Sequence, residues 1–251
     1  MFMDIFLSVV IPCYNEEINL KKGVLEKVDN YLKKQQYSWE VIVVDDGSTD
    51  GSKQIIKNFI KDKASFQLLE RSHQGKANTV IGGVQEAKGS WVLFADLDQA
   101  TPIKEIEKFL INIDKGEVMI GSRAGEREGA PLSRKIMAWG FILLRRIFLG
   151  LGDLKDTQCG FKLFKHEAAR EIFSRLRLYG NKKQVQGSAV TAGFDVEILF
   201  LAKKLGYQTR EIPVEWHYME TRRVNPIKDS LQALKDIFIL RLNDLRGSYE
   251  I

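Results

Sequence analysis

The chain has 251 residues, 44% of them apolar, enough for one substantial core, or one core with a smaller lobe, without disulfide or metal staples. A balance of 38 basic against 33 acidic residues is too even to argue for nucleic acid as a partner, and suits an anionic lipid surface equally well. Cys13 and Cys159 stand far apart in apolar or motif contexts, which argues against a disulfide framework and fits a reducing, cytoplasmic setting.

Along the chain, Met1–Ile11 carries no basic leader and runs straight into a strand-like segment, so no signal peptide is expected. β-rich runs follow at Leu7–Ile11, Val41–Val44, Phe66–Leu69, Trp91–Ala95 and Val118–Ile120. Between them apolar residues recur at helical spacing: Leu20, Val24, Val28 and Tyr31; Ile55, Ile56, Phe59 and Ile60; Val80, Ile81 and Val84; Ile103, Ile106, Phe109, Leu110 and Ile113. Strands apolar on both faces, separated by amphipathic helices, predict an α/β fold with a mostly parallel sheet covered on both sides. Its ligand is expected at the C-terminal strand ends.

A composition shift begins at Gly125, where Gly125–Pro131 is too rich in glycine and charge to pack as core, and reads as a loop or lobe boundary. Residues 1–124 and 125–251 are read as two halves of one continuous domain. Ser133–Leu149 is apolar nearly all round with interspersed arginines and lysine, a pattern shared by a buried helix and one lying in a lipid interface. The apolar run Ile136–Leu151 is broken by Arg145 and Arg146 and is shorter than the ~20 residues of a spanning helix, so no transmembrane helix is expected. A helix at Asp195–Leu205, a strand at Thr209–Trp216 and an amphipathic helix at Ile227–Leu245 complete the reading.

Three polar clusters directly follow strands: Pro12–Glu16, Asp45–Ser48 and Asp96–Asp98. Any one of them can be a helix cap, but three on successive strand ends point to a ligand site. Asp96 and Asp98, one residue apart, can each give an oxygen to a hard divalent ion that also holds substrate phosphates. Asp46 is suited to accept a hydrogen bond from a base, Tyr14 to stack on one, and Glu16 either to bind a ribose hydroxyl or to cap the next helix.

With these residues in view, the sequence resembles the family 2 glycosyltransferases of the GT-A fold. Leu7–Glu16 matches the opening strand and Pro-x-Tyr-Asn-Glu turn, Val41–Gly51 the Val-Asp-Asp-Gly-Ser-Thr-Asp-Gly signature, and Ala95–Asp98 the metal motif. The second half is most similar to the dolichyl-phosphate glucose synthases and their prokaryotic polyprenyl-phosphate relatives, through Gly121–Arg123, Asp156–Phe164, Phe194–Glu197 and Glu211–Trp216. The resemblance implies a Rossmann-like GT-A sheet with helices on both faces and a C-terminal acceptor-side lobe. It assigns nucleotide contacts to Pro12, Tyr14, Glu16, Val44 and Asp46, with Ala95 and Leu97 lining the site. Asp96 and Asp98 would hold the diphosphate and a Mg²⁺ or Mn²⁺ ion, and Arg123, Arg223 and, more weakly, Arg134 would attend the phosphates. Two segments depart from the family pattern: Gln99-Ala100-Thr101 after the metal motif leaves a third protein ligand open, and Gly187–Gly193 replaces an aromatic lead-in.

The implied activity is inverting transfer of a hexose to dolichyl or polyprenyl phosphate, with UDP-glucose the favoured donor and GDP-mannose an alternative. The acceptor phosphate ionises near pH 6 and needs no general base. A family 2 transferase acting on a polysaccharide hydroxyl would instead need one, for which Asp195 or Asp156 is the candidate. An inactive nucleotide-sugar-binding subunit is the non-enzyme alternative. Without the N-terminal membrane helix of the eukaryotic glucose synthases, membrane contact is expected to be peripheral, on the cytoplasmic face, or to depend on a membrane-protein partner or a second copy.

Overall fold

A computed structural model of the protein describes residues 4–123, 132–180, 192–217 and 226–250. The polar stretch Gly125–Pro131 therefore lies outside the described residues. Seven strands form one sheet: β1 (Leu7–Cys13), β2 (Trp39–Asp45), β3 (Phe66–Glu70), β4 (Trp91–Ala95), β5 (Val118–Ser122), β6 (Phe161–Lys165) and β7 (Thr209–Pro213), in spatial order β3-β2-β1-β4-β6-β5-β7. All pairings are parallel except those of β6, which runs antiparallel to both β4 and β5. The strand order reverses direction between β1 and β4, the place where an open α/β sheet opens a crevice for ligand.

Side chains alternate between the two faces, so each strand feeds two cores. Leu7, Val9, Ile11, Val41, Val43 and Leu93 pack against α2 (Val24–Leu32), α3 (Ser52–Ile60) and the Ile103–Leu110 segment with α5 (Ile106–Leu110). Val10, Ile42, Val44, Val92 and Phe94 pack on the other face against α4 (Lys76–Glu86), α7 (His166–Ser174) and α8 (Ala192–Lys204), with α6 (Leu132–Leu149) and α9 (Pro226–Leu245) adding Leu149, Ile237 and Leu240. Residues from both halves of the chain share this second core.

The stripe expected from Leu20 to Tyr31 is broken. A short α1 (Glu17–Lys21) ends before Gly23, whose φ of 74° starts α2 in a left-handed conformation that glycine adopts without steric cost. The expected strand from Thr209 stops at Pro213, three residues before Trp216. β6 and α7 are elements that the apolar spacing does not announce. In β6 a lysine, Lys162, interrupts an otherwise apolar run, yet its side chain is fully buried and paired with Asp195. Because β6 is antiparallel, its first residue, Phe161, lies opposite Ala95, the last of β4. The motif that leads into β6 is thereby brought to the edge where Asp96 emerges.

Helix α4 lies tight on the sheet because Gly83 has no side chain: a Cβ there would meet Val10 Cγ1 at 2.3 Å and Val44 Cγ2 at 3.0 Å. Both valines are fully buried and cannot turn aside. Gly83→Ala is expected to destabilise the fold, because overpacking of about 1–3 kcal/mol outweighs a gain of about 1 kcal/mol in helix propensity. The check is the urea midpoint, which should fall; a midpoint at or above wild type would contradict the close contact.

Candidate active site

The ends of β1 and β2 are laced together by their own turns. Asn15, at a φ of 53°, accepts the Thr49 amide at 2.8 Å through Oδ1 while its own amide donates to Ser48 Oγ at 3.0 Å. Ser52 Oγ accepts the Glu16 amide at 2.8 Å, and Glu17 accepts the Gly51 amide at 3.0 Å. Much of the Asp-Gly-Ser-Thr-Asp-Gly signature thus builds the wall of the site. Glu16 makes no capping bond to α1; its carboxylate accepts the Asn19 side-chain amide at 2.6 Å, so the capping alternative is not realised. Burial, followed by the charges of Asp45 and Glu16, pushes the Cys13 thiol up to about 12, so it stays protonated and is no nucleophile.

Asp46 is buried and grips the segment between β3 and α4. Its Oδ1 accepts the Gln74 amide at 2.8 Å, its Oδ2 accepts the Gly75 amide at 2.9 Å, and His73 Nδ1 lies 2.8 Å from the same Oδ2. The His73 ring stacks on Tyr14, with centroids 4.0 Å apart and planes 8° from parallel. Tyr14 therefore already has an aromatic partner contributed by the chain itself. Gly75, at a φ of 86°, turns the backbone into α4, and the first residue of that helix, Lys76, reaches across to Asp96 Oδ1 at 2.6 Å.

Asp96 and Asp98 emerge from β4. Asp96 donates its amide to the Gly160 carbonyl at 3.1 Å, and its Oδ2 lies so close to Gly160 that a Cβ there would sit 1.9 Å away. Asp98 Oδ1 accepts the Ala100 amide at 3.0 Å. Burial pushes the Asp98 carboxyl pKa up, and the charges of Asp96 and then Glu16 push it further. For Lys76, burial works against the charged form, but Asp96, Asp195 and Asp98 outweigh it and raise the pKa, so the ammonium stays charged. Among the described residues no group of three or more His, Cys, Asp or Glu side chains forms a metal cage. Two adjacent carboxylates nevertheless fit Mg²⁺ or Mn²⁺, which fills its remaining positions with substrate phosphate oxygens and water. Gly160 leaves space for the first of them.

The motif before β6 supports this edge. Asp156 is buried and forms a two-pronged pair with Arg123, Nε to Oδ2 at 2.6 Å and Nη2 to Oδ1 at 2.8 Å, and also accepts the Arg123 amide at 3.0 Å. The Arg123 guanidinium lies 5.5 Å from the Trp216 ring centroid. Arg145, buried on α6, donates to Thr157 Oγ1. Lys162 donates to the Cys159 carbonyl and to Asp195 Oδ1, both at 2.5 Å. Lys76 and Lys162 both approach the Phe94 ring, at 5.1 and 5.9 Å.

The structure therefore joins Tyr14, Asp46 and Asp96 through a continuous set of contacts running by way of His73, Gly75 and Lys76, with Asp98 beside them within electrostatic reach of Asp96 and Lys76. Pro12 and Val44 face each other in the β1–β2 register, but the Val44, Ala95 and Leu97 side chains belong to the cores, so those three offer backbone rather than side chain to a ligand. Arg123 lies at the same edge but spends its fork on Asp156. Arg223 and the side chain of Arg134 lie outside the described residues. His73 and Lys76 were not foreseen, and Gly160 and Lys162 stood in the Asp156–Phe164 match without an assigned role. A Gly-Lys pair opening a helix after a strand was the available signal for Lys76.

A family model described as Glycosyl transferase family 2 matches residues 8–173. The dolichyl-phosphate beta-glucosyltransferase of Saccharomyces cerevisiae is 35% identical over 98% of this chain and 77% of its own length. The protein of the same name from Dictyostelium discoideum is 32% identical, over 99% of this chain and 77% of its own. Among solved structures, glucosyl-3-phosphoglycerate synthase from Mycobacterium tuberculosis, in complex with Mn²⁺, uridine diphosphate and glucosyl-3-phosphoglycerate, matches with a TM-score of 0.58 at 17% identity, over 95% of this chain and 79% of that one. That last likeness is one of fold, and the fold is GT-A. On the family model and on identity that runs nearly end to end, the chain belongs to glycosyl transferase family 2.

Proposed function

We propose that the protein moves a glucosyl group from UDP-glucose to dolichyl or another polyprenyl phosphate, inverting the anomeric carbon in one in-line displacement. The names of its relatives support the sugar and the acceptor. The observation that carries the reading is the state of the two carboxylates that could otherwise serve as a base. Asp156 is locked to Arg123 and Asp195 to buried Lys162. A hydroxyl acceptor needs a carboxylate able to take its proton, whereas a phosphate monoester arrives as an anion at neutral pH. The paired state of both residues favours the phosphate.

In this reading Tyr14, Asp46 and His73 form the base-side wall, and the 14–16 and 48–52 turns hold the ribose side. Asp96 and Asp98 would hold a Mg²⁺ or Mn²⁺ ion, which when bound neutralises charge on the departing diphosphate. Arg123, kept rigid by Asp156, and Arg223 orient the phosphate groups, so most of the rate comes from positioning and fixed charge. Residues 1–124 would serve the donor and 125–251 the acceptor.

The acceptor's tail implies a bilayer, and no helix among the described residues is long and apolar enough to cross one. On α9, Leu231, Phe238, Leu242 and Leu245 are exposed at spacings of seven, four and three residues, a single helical stripe. Exposed Lys235 and Arg246 lie on the same helix and just beyond it. On α6, Leu143 and Ile147 are exposed, while Phe141 packs against the core and Arg145 is buried. These two helices would rest on the cytoplasmic membrane face, tails inward and basic residues at the headgroups.

Two experiments test this. Purified protein is offered UDP-glucose or GDP-mannose with polyprenyl phosphate and Mg²⁺ or Mn²⁺, and sugar is counted in the organic phase. UDP-glucose should label the lipid, and Asp98→Ala should lose about a hundredfold or more; Asp98→Ala with near-normal turnover in chelator would remove the metal assignment. In liposome flotation, wild type should rise with anionic vesicles and the double variant Phe238→Glu, Leu242→Glu should stay at the bottom. Equal flotation of both would clear α9 of membrane contact.

A further inference from the structure

Two lysines approach the face of Phe94, and their surroundings differ in one respect. Lys162 is sealed: its side chain has no exposure and it is fixed by Asp195 and the Cys159 carbonyl. Lys76 is not. Its side chain and that of Asp96 are each 36% exposed, so the pair stands at the mouth of the site, where an ammonium on a flexible stem can leave. The oxygen it occupies matters. Asp96 Oδ2 is the oxygen packed more tightly on Gly160, and Lys76 sits on the other, Oδ1, at 2.6 Å. A cation bound through Oδ1 must compete with Lys76 for that atom.

We propose that Lys76 is a displaceable internal counter-ion: it neutralises Asp96 while the donor site is empty and moves to the donor's diphosphate as Asp96 takes up a divalent cation. The inference rests on the donor and metal reading given above. Its physical content is an exchange of partners. Asp96 and Asp98 lie within electrostatic reach of Lys76, so the ammonium would leave uncompensated carboxylates behind if nothing replaced it. A metal ion arriving alone would meet a carboxylate already satisfied. Metal and diphosphate arriving together satisfy both partners, because the freed ammonium finds phosphate oxygens near the N-terminus of α4, an eleven-residue helix whose terminus also favours an anion. Lys76 thus makes metal and nucleotide binding cooperative, and keeps the enzyme from holding a metal ion without a donor. The grip of Asp46 on Gln74 and Gly75 sets where the lysine starts.

The test is Mn²⁺ binding, counted as the free-ion signal in electron paramagnetic resonance, for wild type, Lys76→Met and Lys76→Arg, with and without UDP. Wild type should bind Mn²⁺ weakly alone and more tightly with UDP. Lys76→Met should bind Mn²⁺ alone about tenfold more tightly than wild type and lose most of the enhancement by UDP, while Lys76→Arg, which keeps the charge, should stay near wild type. A generally damaged site would lower Mn²⁺ affinity, so a rise separates the proposal from a structural role; matching thermal midpoints verify folding. Lys76→Met that binds Mn²⁺ no more tightly than wild type, with the UDP enhancement intact, overturns the proposal. Wild type that binds no Mn²⁺ even with UDP overturns the metal reading itself, and the proposal with it.

Discussion

The carboxylate of Asp46 holds the backbone amides of Gln74 and Gly75, and the arrangement of the site follows from that grip. Asp46 leaves the end of β2, whereas the segment it holds comes from the end of β3. Charge-assisted bonds from a buried carboxylate to two successive amides fix the entry into α4 more firmly than a neutral turn would. His73 is thereby set under Tyr14 from β1, and Lys76 is aimed at Asp96 from β4. Four strand ends are tied to one another at the sheet's crevice by contacts that each involve only a few atoms.

The charges around that crevice fall into two kinds. Arg123 with Asp156 and Lys162 with Asp195 are closed pairs, in which removal of one partner would strand a buried charge at a cost of about 3–5 kcal/mol. They hold Arg123 and Lys162 in place, and they withdraw two carboxylates from proton transfer. In the Asp96, Asp98 and Lys76 group the lysine and Asp96 are partly exposed and carboxylates are crowded together, so a ligand can rearrange them. Burial and the neighbouring carboxylate act together on Asp98, so the group gains more from an incoming cation than a lone surface aspartate would. The division between rigid pairs and an exchangeable one is what a transferase working through fixed charge requires.

The parallel sheet and its ligand edge were legible in the sequence because β1, β2 and β4 are buried on both faces and read as unbroken apolar runs ending in Asp or Asn clusters. Asp96 and Asp98 follow the end of β4, the strand from which they were expected to emerge. β6 was not legible, because Lys162, its second residue, breaks the apolar pattern and its partner Asp195 lies 33 residues away. Nor was the role of Asp156, Gly160 and Cys159: the family resemblance marked them, but only the antiparallel return of the chain shows that Gly160 makes room for the Asp96 carboxylate. Asp46 was read as a contact for the nucleotide base, and the structure shows its oxygens engaged by the 73–75 segment. Local spacing cannot reveal such a contact between two turns 28 residues apart.

The central claim is that Asp96 and Asp98 form the metal-diphosphate edge of this transferase. Anomalous scattering from crystals grown with Mn²⁺ and UDP tests it most directly. One strong peak is expected within coordination distance of both carboxylates and of the diphosphate oxygens. A nucleotide bound in the β1–β2 crevice with no peak beside these two aspartates, or with its metal ion held elsewhere, would contradict it.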